Sequence, residues 1–250
     1  MIARRTALTL LAISATLAQL LSIGRTRAAE PKDETPGDII AIIGTGGVGG
    51  TLGRRWATLG YKIVYGSRTP GADKVAALVR ETGHGATVTT PREAAQKADI
   101  VLLAVPWAAA KEVVMGLGDL SGKIIIDPTN GVKVIEGRFE APPTLTTSDA
   151  EEIQAWAGTA HVVKAFNTLS VEMMADSKRA GGPVSVLLAG ADAAAKARVA
   201  KIVLAMGLEP LDVGALYVAR YLEGMARLRM SYRAKNRPNA FEFYLRPRRD

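Results

Sequence analysis

Gly44, Gly46 and Gly49 stand at Gly-x-Gly-x-x-Gly spacing, between an apolar run, Ile39–Ile43, and a helix-period segment, Gly49–Leu59. At a strand-to-helix turn the first glycine permits the tight bend, the second lets a pyrophosphate approach the backbone, and the third lets the helix close on the strand. The helix N-terminus then offers unpaired N–H groups and partial positive charge to phosphate. The pattern predicts a dinucleotide site made by Gly44, Thr45, Gly46, Gly47, Val48 and Gly49. The second apolar run, Lys62–Tyr65, leads into Ser67 and Arg68. An acid at that position would hold the ribose hydroxyls of NAD; a hydroxyl beside a guanidinium suits a phosphate dianion instead. The pair therefore predicts NADP(H). Lys74 is read either as a further contact to that phosphate or as a solvated helix residue, and Arg54 and Arg55 as surface.

The elements that must position these groups follow from the alternation of short apolar runs and helix-period segments. Strands are expected at 39–43, 62–65, 87–89, 99–105 ("DIVLLAV"), 123–127 ("KIIID"), 162–165, 184–189 ("VSVLLA") and 209–213. Helices are expected between them and in a last long segment, 214–234. Continuous apolar strands separated by helices indicate an α/β chain with a doubly wound parallel sheet of Rossmann type, covered on both faces. We expect a nucleotide-binding part, 38–160, and a smaller C-terminal α/β extension, 161–250, for substrate and dimer contacts.

Composition agrees with an enzyme of this class: 250 residues, 48% hydrophobic, 25 glycines and no cysteine. The missing thiols exclude disulfides, thiolate metal sites and a cysteine nucleophile. The net charge of +8 sits at the two ends, +4 over residues 1–29 and +6 over 227–250, which leaves −2 for the body. A basic nucleic-acid face is therefore not expected. Residues 1–29 carry Arg4-Arg5, an uncharged stretch from Thr6 to Gly24 and Ala28-Ala29, the layout of an export signal with a twin-arginine-like start. A polar linker, 30–37, follows. We expect a cleaved signal, no stable membrane span afterwards and a periplasmic location; a cytoplasmic or membrane-anchored protein with an uncleaved leader stays open.

From "IIGTGGVGGTLGRRWATLGYKIVYGSR" through "ADIVLLAVPW", "IIIDPTNGV", "VVKAFNTLS" and "ARYLEGMARLRMSYR", the chain resembles the F420-dependent NADP oxidoreductases. Its N-terminal motif is also shared with pyrroline-5-carboxylate reductases. The resemblance implies hydride exchange between NADP(H) and a deazaflavin, coenzyme F420, or a flavin; a related domain serves membrane ferric reductases. It places Gly44, Thr45, Gly46, Val48 and Gly49 at the pyrophosphate and Ser67 and Arg68 at the 2′-phosphate. Val105, Pro106 and Asn130 fall on the nicotinamide side, where crevice residues also lie by fold geometry. It turns Asn167 and Thr168 toward the second substrate. "DPTN" stands where "DATN" is commoner in the family.

Hydride transfer between two rings needs little acid–base help, so no catalytic residue or metal ligand is assigned. His84 and His161 are read as turn and strand-edge residues without a plausible partner, Asp127 as a loop-holding group, and Ser170 with Glu172 as a helix start. Tyr217, Tyr221, Met225, Leu228 and Tyr232 recur at 3–4 spacing and are read as core or homodimer contact. The tail from Lys235 is read as solvated or interfacial. Reduction of a small imine or pyrroline, and NADPH binding without catalysis, remain alternatives.

Overall fold

The computed structural model describes residues 38–132, 134–135, 138–139, 146–235 and 241–246. The export-signal and linker readings therefore lie outside the described residues. Eight strands form one sheet: β1 (Ile39–Ile43), β2 (Lys62–Gly66), β3 (Thr87–Thr89), β4 (Ile100–Leu103), β5 (Ile124–Asp127), β8 (His161–Lys164), β9 (Ser185–Gly190) and β10 (Glu209–Gly214). Two short strands, β6 (Val134–Ile135) and β7 (Arg138–Phe139), pair with each other as a separate antiparallel ribbon. The helices are α1 (Gly47–Thr58), α2 (Asp73–Thr82), α3 (Pro91–Gln96), α4 (Trp107–Gly116), α5 (Asp149–Ala157), α6 (Val171–Ala175), α7 (Ala193–Ala205) and α8 (Ala219–Lys235).

The strand order is β10-β9-β8-β5-β4-β1-β2-β3. The chain runs outward from β1 to β3, then crosses to β4 on the other flank of β1 and continues away. That reversal opens a crevice over the carboxyl ends of β1 and β4, where α/β sheets bind ligands. β1 ("IIAII") and β4 ("IVLL") are almost wholly buried, as strands covered on both faces must be. Ile40, Ile42, Leu52, Trp56 and Val199 build the core on one face; Ala41, Ile43, Val101, Leu103 and Ile153 build it on the other.

Helix starts are set by short polar side chains. Thr90 and Glu93 close a capping box on α3, with Pro91 in the first turn. Ser148, Ser170 and Asp192 accept from backbone N–H groups of α5, α6 and α7, each satisfying a donor that the helix itself cannot.

One expectation is corrected. The sheet is not wholly parallel: β9 pairs antiparallel with β8, and β10 runs parallel to β9. The C-terminal extension thus continues the same sheet, with β8 parallel to β5 across residue 160 and only β9 and β10 running in the opposite direction. The tail is also held on the body. Ser185 N–H donates to the Phe243 carbonyl at 2.9 Å and Leu245 N–H to Ser185 Oγ at 2.9 Å.

Candidate functional site

β1 pairs with β2 up to Ile43 opposite Gly66, and with β4 up to Ile43 opposite Leu103. Gly44, Ser67 and Ala104 therefore leave the sheet at one level. Gly44 has φ +108, in the region that glycine tolerates. A Cβ there would collide with the Ala104 backbone, so only glycine lets the two loops approach. Gly44 N–H donates to the Gly66 carbonyl at 3.2 Å. Gly49 is buried against Gly44 and Ile42, closing α1 on β1.

Two cavities meet over Gly46 and residues 104–106. The first, about 240 Å³, is lined by Gly44, Thr45, Gly46, Ser67, Arg68, Thr69 and Lys74, with Val105 and Pro106. The second, about 390 Å³, is lined by Gly46, Gly47, Val48, Val105, Pro106, Trp107, Pro128, Thr129, Asn130 and Met230. Every cofactor residue expected from the sequence lines one or both, apart from Gly49, which packs beneath.

The residues present fit NADP(H). No side chain caps α1 and its first turn contains no acid, so its orphan N–H groups and dipole face an open cavity. A Cβ on Gly46 would meet nothing within 4 Å; the backbone is bare there, as a pyrophosphate requires. At the far end of the first cavity stand Ser67, Arg68 and Lys74. Ser67 is buried, and its Oγ accepts from Thr69 N–H at 3.2 Å, turning the loop that presents the exposed Arg68. Thr69 had not been anticipated from the sequence.

The Asn130 side of the crevice is more elaborate than the motifs suggest. Asn130 lines the second cavity, and Asn167 holds it by reciprocal amide bonds. Asn130 Nδ2 donates to the Asn167 carbonyl at 2.9 Å, and Asn167 Nδ2 to Asn130 Oδ1 at 3.1 Å. Asn167 and Thr168 are themselves buried and line neither cavity, so Asn167 reaches the site through Asn130. Phe166, just before them, has φ +64, a strained conformation for a bulky residue. Its buried ring, packed edge-on against Trp56 at 5.9 Å, holds it there.

Beneath this loop lies a buried ion cluster. Lys164, fully enclosed at the end of β8, is register partner to Asp127 at the end of β5. Its ammonium lies 3.0 Å from Asp127 Oδ2 and 2.9 Å from Glu223 Oε1, and donates to the Thr129 carbonyl at 2.6 Å. Burial works against the charge, yet Asp127, Glu223 and Asp149 together hold Lys164 above the ordinary lysine range. Burial likewise pushes the carboxyls of Glu223 and Asp149 upward. Asp127 Oδ1 also accepts from Thr129 N–H and Oγ1–H, the loop-holding role expected of it. Lys164, Glu223 and Asp149 were missed, although a lysine inside an apolar strand ("VVKAF") demands buried partners.

His161, Trp107 and Arg54 each have a partner of their own. His161 begins β8, at the opposite end of the sheet, and does have a neighbour, Asp192 Oδ2 at 3.9 Å. Trp107 stacks on Trp156 at 5.5 Å. Arg54 pairs with Glu81 at the surface. Among the described residues no group of three His, Asp or Glu side chains is placed to hold a metal, and no helix is long and apolar enough to cross a membrane.

Comparison with known proteins follows the same lines. The family profile "NADP oxidoreductase coenzyme F420-dependent" matches residues 39–131. A crystal structure from Arthrobacter sp. FB24, assigned as an F420-dependent NADP-reductase, is 30% identical, with a TM-score of 0.76 over 83% of this chain and 99% of that one. A hypothetical protein from Sinorhizobium meliloti is 28% identical with a TM-score of 0.62, covering 72% and 86% of the two chains. The metalloreductase STEAP3 of Rattus norvegicus is 30% identical over 197 residues, which is 79% of this chain and 38% of that protein. The chain thus spans well under half of the curated metalloreductases it matches. On these likenesses the chain, with its glycine turn, Ser67–Arg68 corner and asparagine-held loop, belongs to the F420-dependent NADP oxidoreductase family.

Proposed function

We propose that the chain transfers a hydride between NADP(H) and a flat ring acceptor, a deazaflavin of the F420 type or a flavin. The observation that supports this most is the second cavity. Among the described residues lining it, none has an ionisable side chain; Val48, Val105, Pro106, Trp107, Pro128 and Met230 give it apolar walls, and Thr129 and Asn130 a polar edge. NADP(H), when bound, supplies the hydride at its nicotinamide ring. The chain binds and aligns: α1 and Gly46 receive the pyrophosphate, Ser67, Arg68 and Lys74 anchor the adenosine phosphate, and Asn130 orients the far end. Apolar walls exclude water and let two ring faces meet. Reducing an imine would call for a proton donor at the substrate nitrogen, which that lining does not offer.

The test is purified protein with NADPH and, in turn, an F420-type deazaflavin, FMN, FAD and pyrroline-5-carboxylate, followed by loss of NADPH absorbance. Turnover with a ring acceptor supports the reading. Turnover with pyrroline-5-carboxylate alone replaces it with imine reduction, and tight NADPH binding without turnover replaces it with a binding role. In the same reading the protein works as a homodimer and is exported through its twin-arginine-like leader. Exchange of Arg4-Arg5 for Lys-Lys, with cell fractionation, tests the leader: an unchanged periplasmic fraction removes the twin-arginine route.

A further inference from the structure

The Lys164 cluster is costly to build and its side chains line neither cavity, yet it ties together β5, the 129–131 loop, β8, α5 and α8, which include the segments that bring Asn130 and Met230 to the second cavity. Lys164 binds Asp127 at the end of β5 and the Thr129 carbonyl in the loop beyond it. Glu223 of α8 binds Lys164 and accepts from the backbone N–H groups of Asp149 and Ala150 at the start of α5, at 3.2 and 3.4 Å. Asp149 in turn accepts from Gly131 N–H, and Arg227 of α8 donates to the Gly131 carbonyl at 3.4 Å. The packing is tight enough that a Cβ on Gly131 would lie 2.6 Å from Asp149 Oδ1. Asn130 is therefore flanked by two residues, Thr129 and Gly131, that the cluster grips directly.

We propose that Lys164 is a positioning residue for hydride transfer: with Asp127, Glu223 and Asp149 it fixes the Thr129–Gly131 loop, and so sets Asn130 against the nicotinamide side of the crevice. This rests on the reading above that the second cavity receives that ring. Neutral hydrogen bonds alone would let α5, α8 and the loop shift separately. One ammonium shared among three elements makes their placement a single event, because buried charges separate only at high cost. The adenosine-phosphate corner, built on the β2 and α2 side of β1, is not part of this network.

That separation gives the test. The dissociation constants of NADPH and of 2′,5′-ADP, which lacks the nicotinamide half, are measured by calorimetry. Their ratio reads what the nicotinamide side contributes. Two variants perturb the cluster differently. K164M/E223Q removes one positive and one negative charge together. Gly131→Ala keeps every charge and pushes the loop away from Asp149. In both, affinity for 2′,5′-ADP stays within about twofold of the original chain while the ratio falls about tenfold, the scale of one charged hydrogen bond.

A folded variant that keeps the original ratio overturns the proposal. So does a parallel loss for both ligands, which would mark the cluster as a general stabiliser. Should K164M/E223Q fail to fold, Gly131→Ala decides alone. If the unaltered chain binds the two ligands equally, the placement of the nicotinamide itself is wrong and the inference falls with it; a high ratio in the unaltered chain, retained in the variants, refutes Lys164 alone.

Discussion

Asn130 and Asn167, 37 residues apart, hold each other's amide groups across the carboxyl ends of β5 and β8. Asn167 Nδ2 makes a second donation, to the Leu222 carbonyl on α8 at 3.0 Å. Truncating Asn167 to alanine leaves the buried Leu222 carbonyl and the half-buried Asn130 Oδ1 without that donor. The expected cost is about 1–3 kcal/mol of stability. A denaturation midpoint equal to that of the unaltered chain would show that water replaces the amide at no cost.

The phosphate corner makes a sharper claim about cofactor choice. Arg68 is exposed beside the first cavity and Ser67 is buried behind it. Arg68→Ala should weaken NADPH by about 1.5–3 kcal/mol, the worth of a hydrogen bond to a charged group. NADH, with no phosphate on that ribose, should bind as before. Calorimetry with both dinucleotides checks this, and the loss should shrink as salt rises, because the site is open to solvent. Equal losses for the two would place the adenosine elsewhere.

What the sequence disclosed and what it hid divide along a physical line. The glycine turn, Ser67 with Arg68, and the order of strands and helices are local: each is written in a few consecutive residues, by spacing or by periodicity. The reversal of β9 is not. "VSVLLA" reads as a buried strand in either direction, and only its pairing of Val163 with Gly190 sets the orientation. The left-handed Phe166 gives no signal either, since a bulky side chain argues against that conformation unless tertiary packing imposes it. Lys164 was half legible: its charge inside "VVKAF" called for a partner, but Glu223 lies 59 residues further along and nothing in the sequence joins them. The exposure of Tyr217, Tyr221, Leu228 and Tyr232 likewise depends on how α8 lies on the body.

A pH-dependent tie joins α5 to α8. Arg220 donates from Nε and Nη2 to the two carboxylate oxygens of Glu151, at 2.8 and 2.6 Å. That guanidinium holds Glu151 below the usual carboxylate range. A lowered folded value means stability present above the unfolded value and lost as pH falls through the folded one. Glu151→Gln should therefore melt lower than the unaltered chain at neutral pH, by about 0.5–1 kcal/mol for a partly exposed pair. The gap should close in acid. A gap independent of pH would show that the charge of Glu151 is not its source; the Ser148 contact at 2.8 Å is one that a neutral side chain can keep.

The outer face of α8 and of the turn before it bears on assembly. Tyr217, Tyr221, Leu228 and Tyr232 are 55%, 57%, 60% and 41% exposed, at intervals of four, seven and four that put them along one stripe. Leu222, Glu223 and Ala226, on the opposite side, are buried against the body. A stripe of three tyrosines and a leucine in water is the composition of an interface core, where aromatic anchors dominate. A second copy offers the same stripe, so two helices packed about a two-fold axis would cover both at once. Light scattering at micromolar concentration should find a dimer, and the pair Tyr221→Glu with Leu228→Glu should yield a folded monomer, since neither side chain supports the core. A monomeric unaltered chain would end the proposal. A dimer that survives the double change would move the interface to another face.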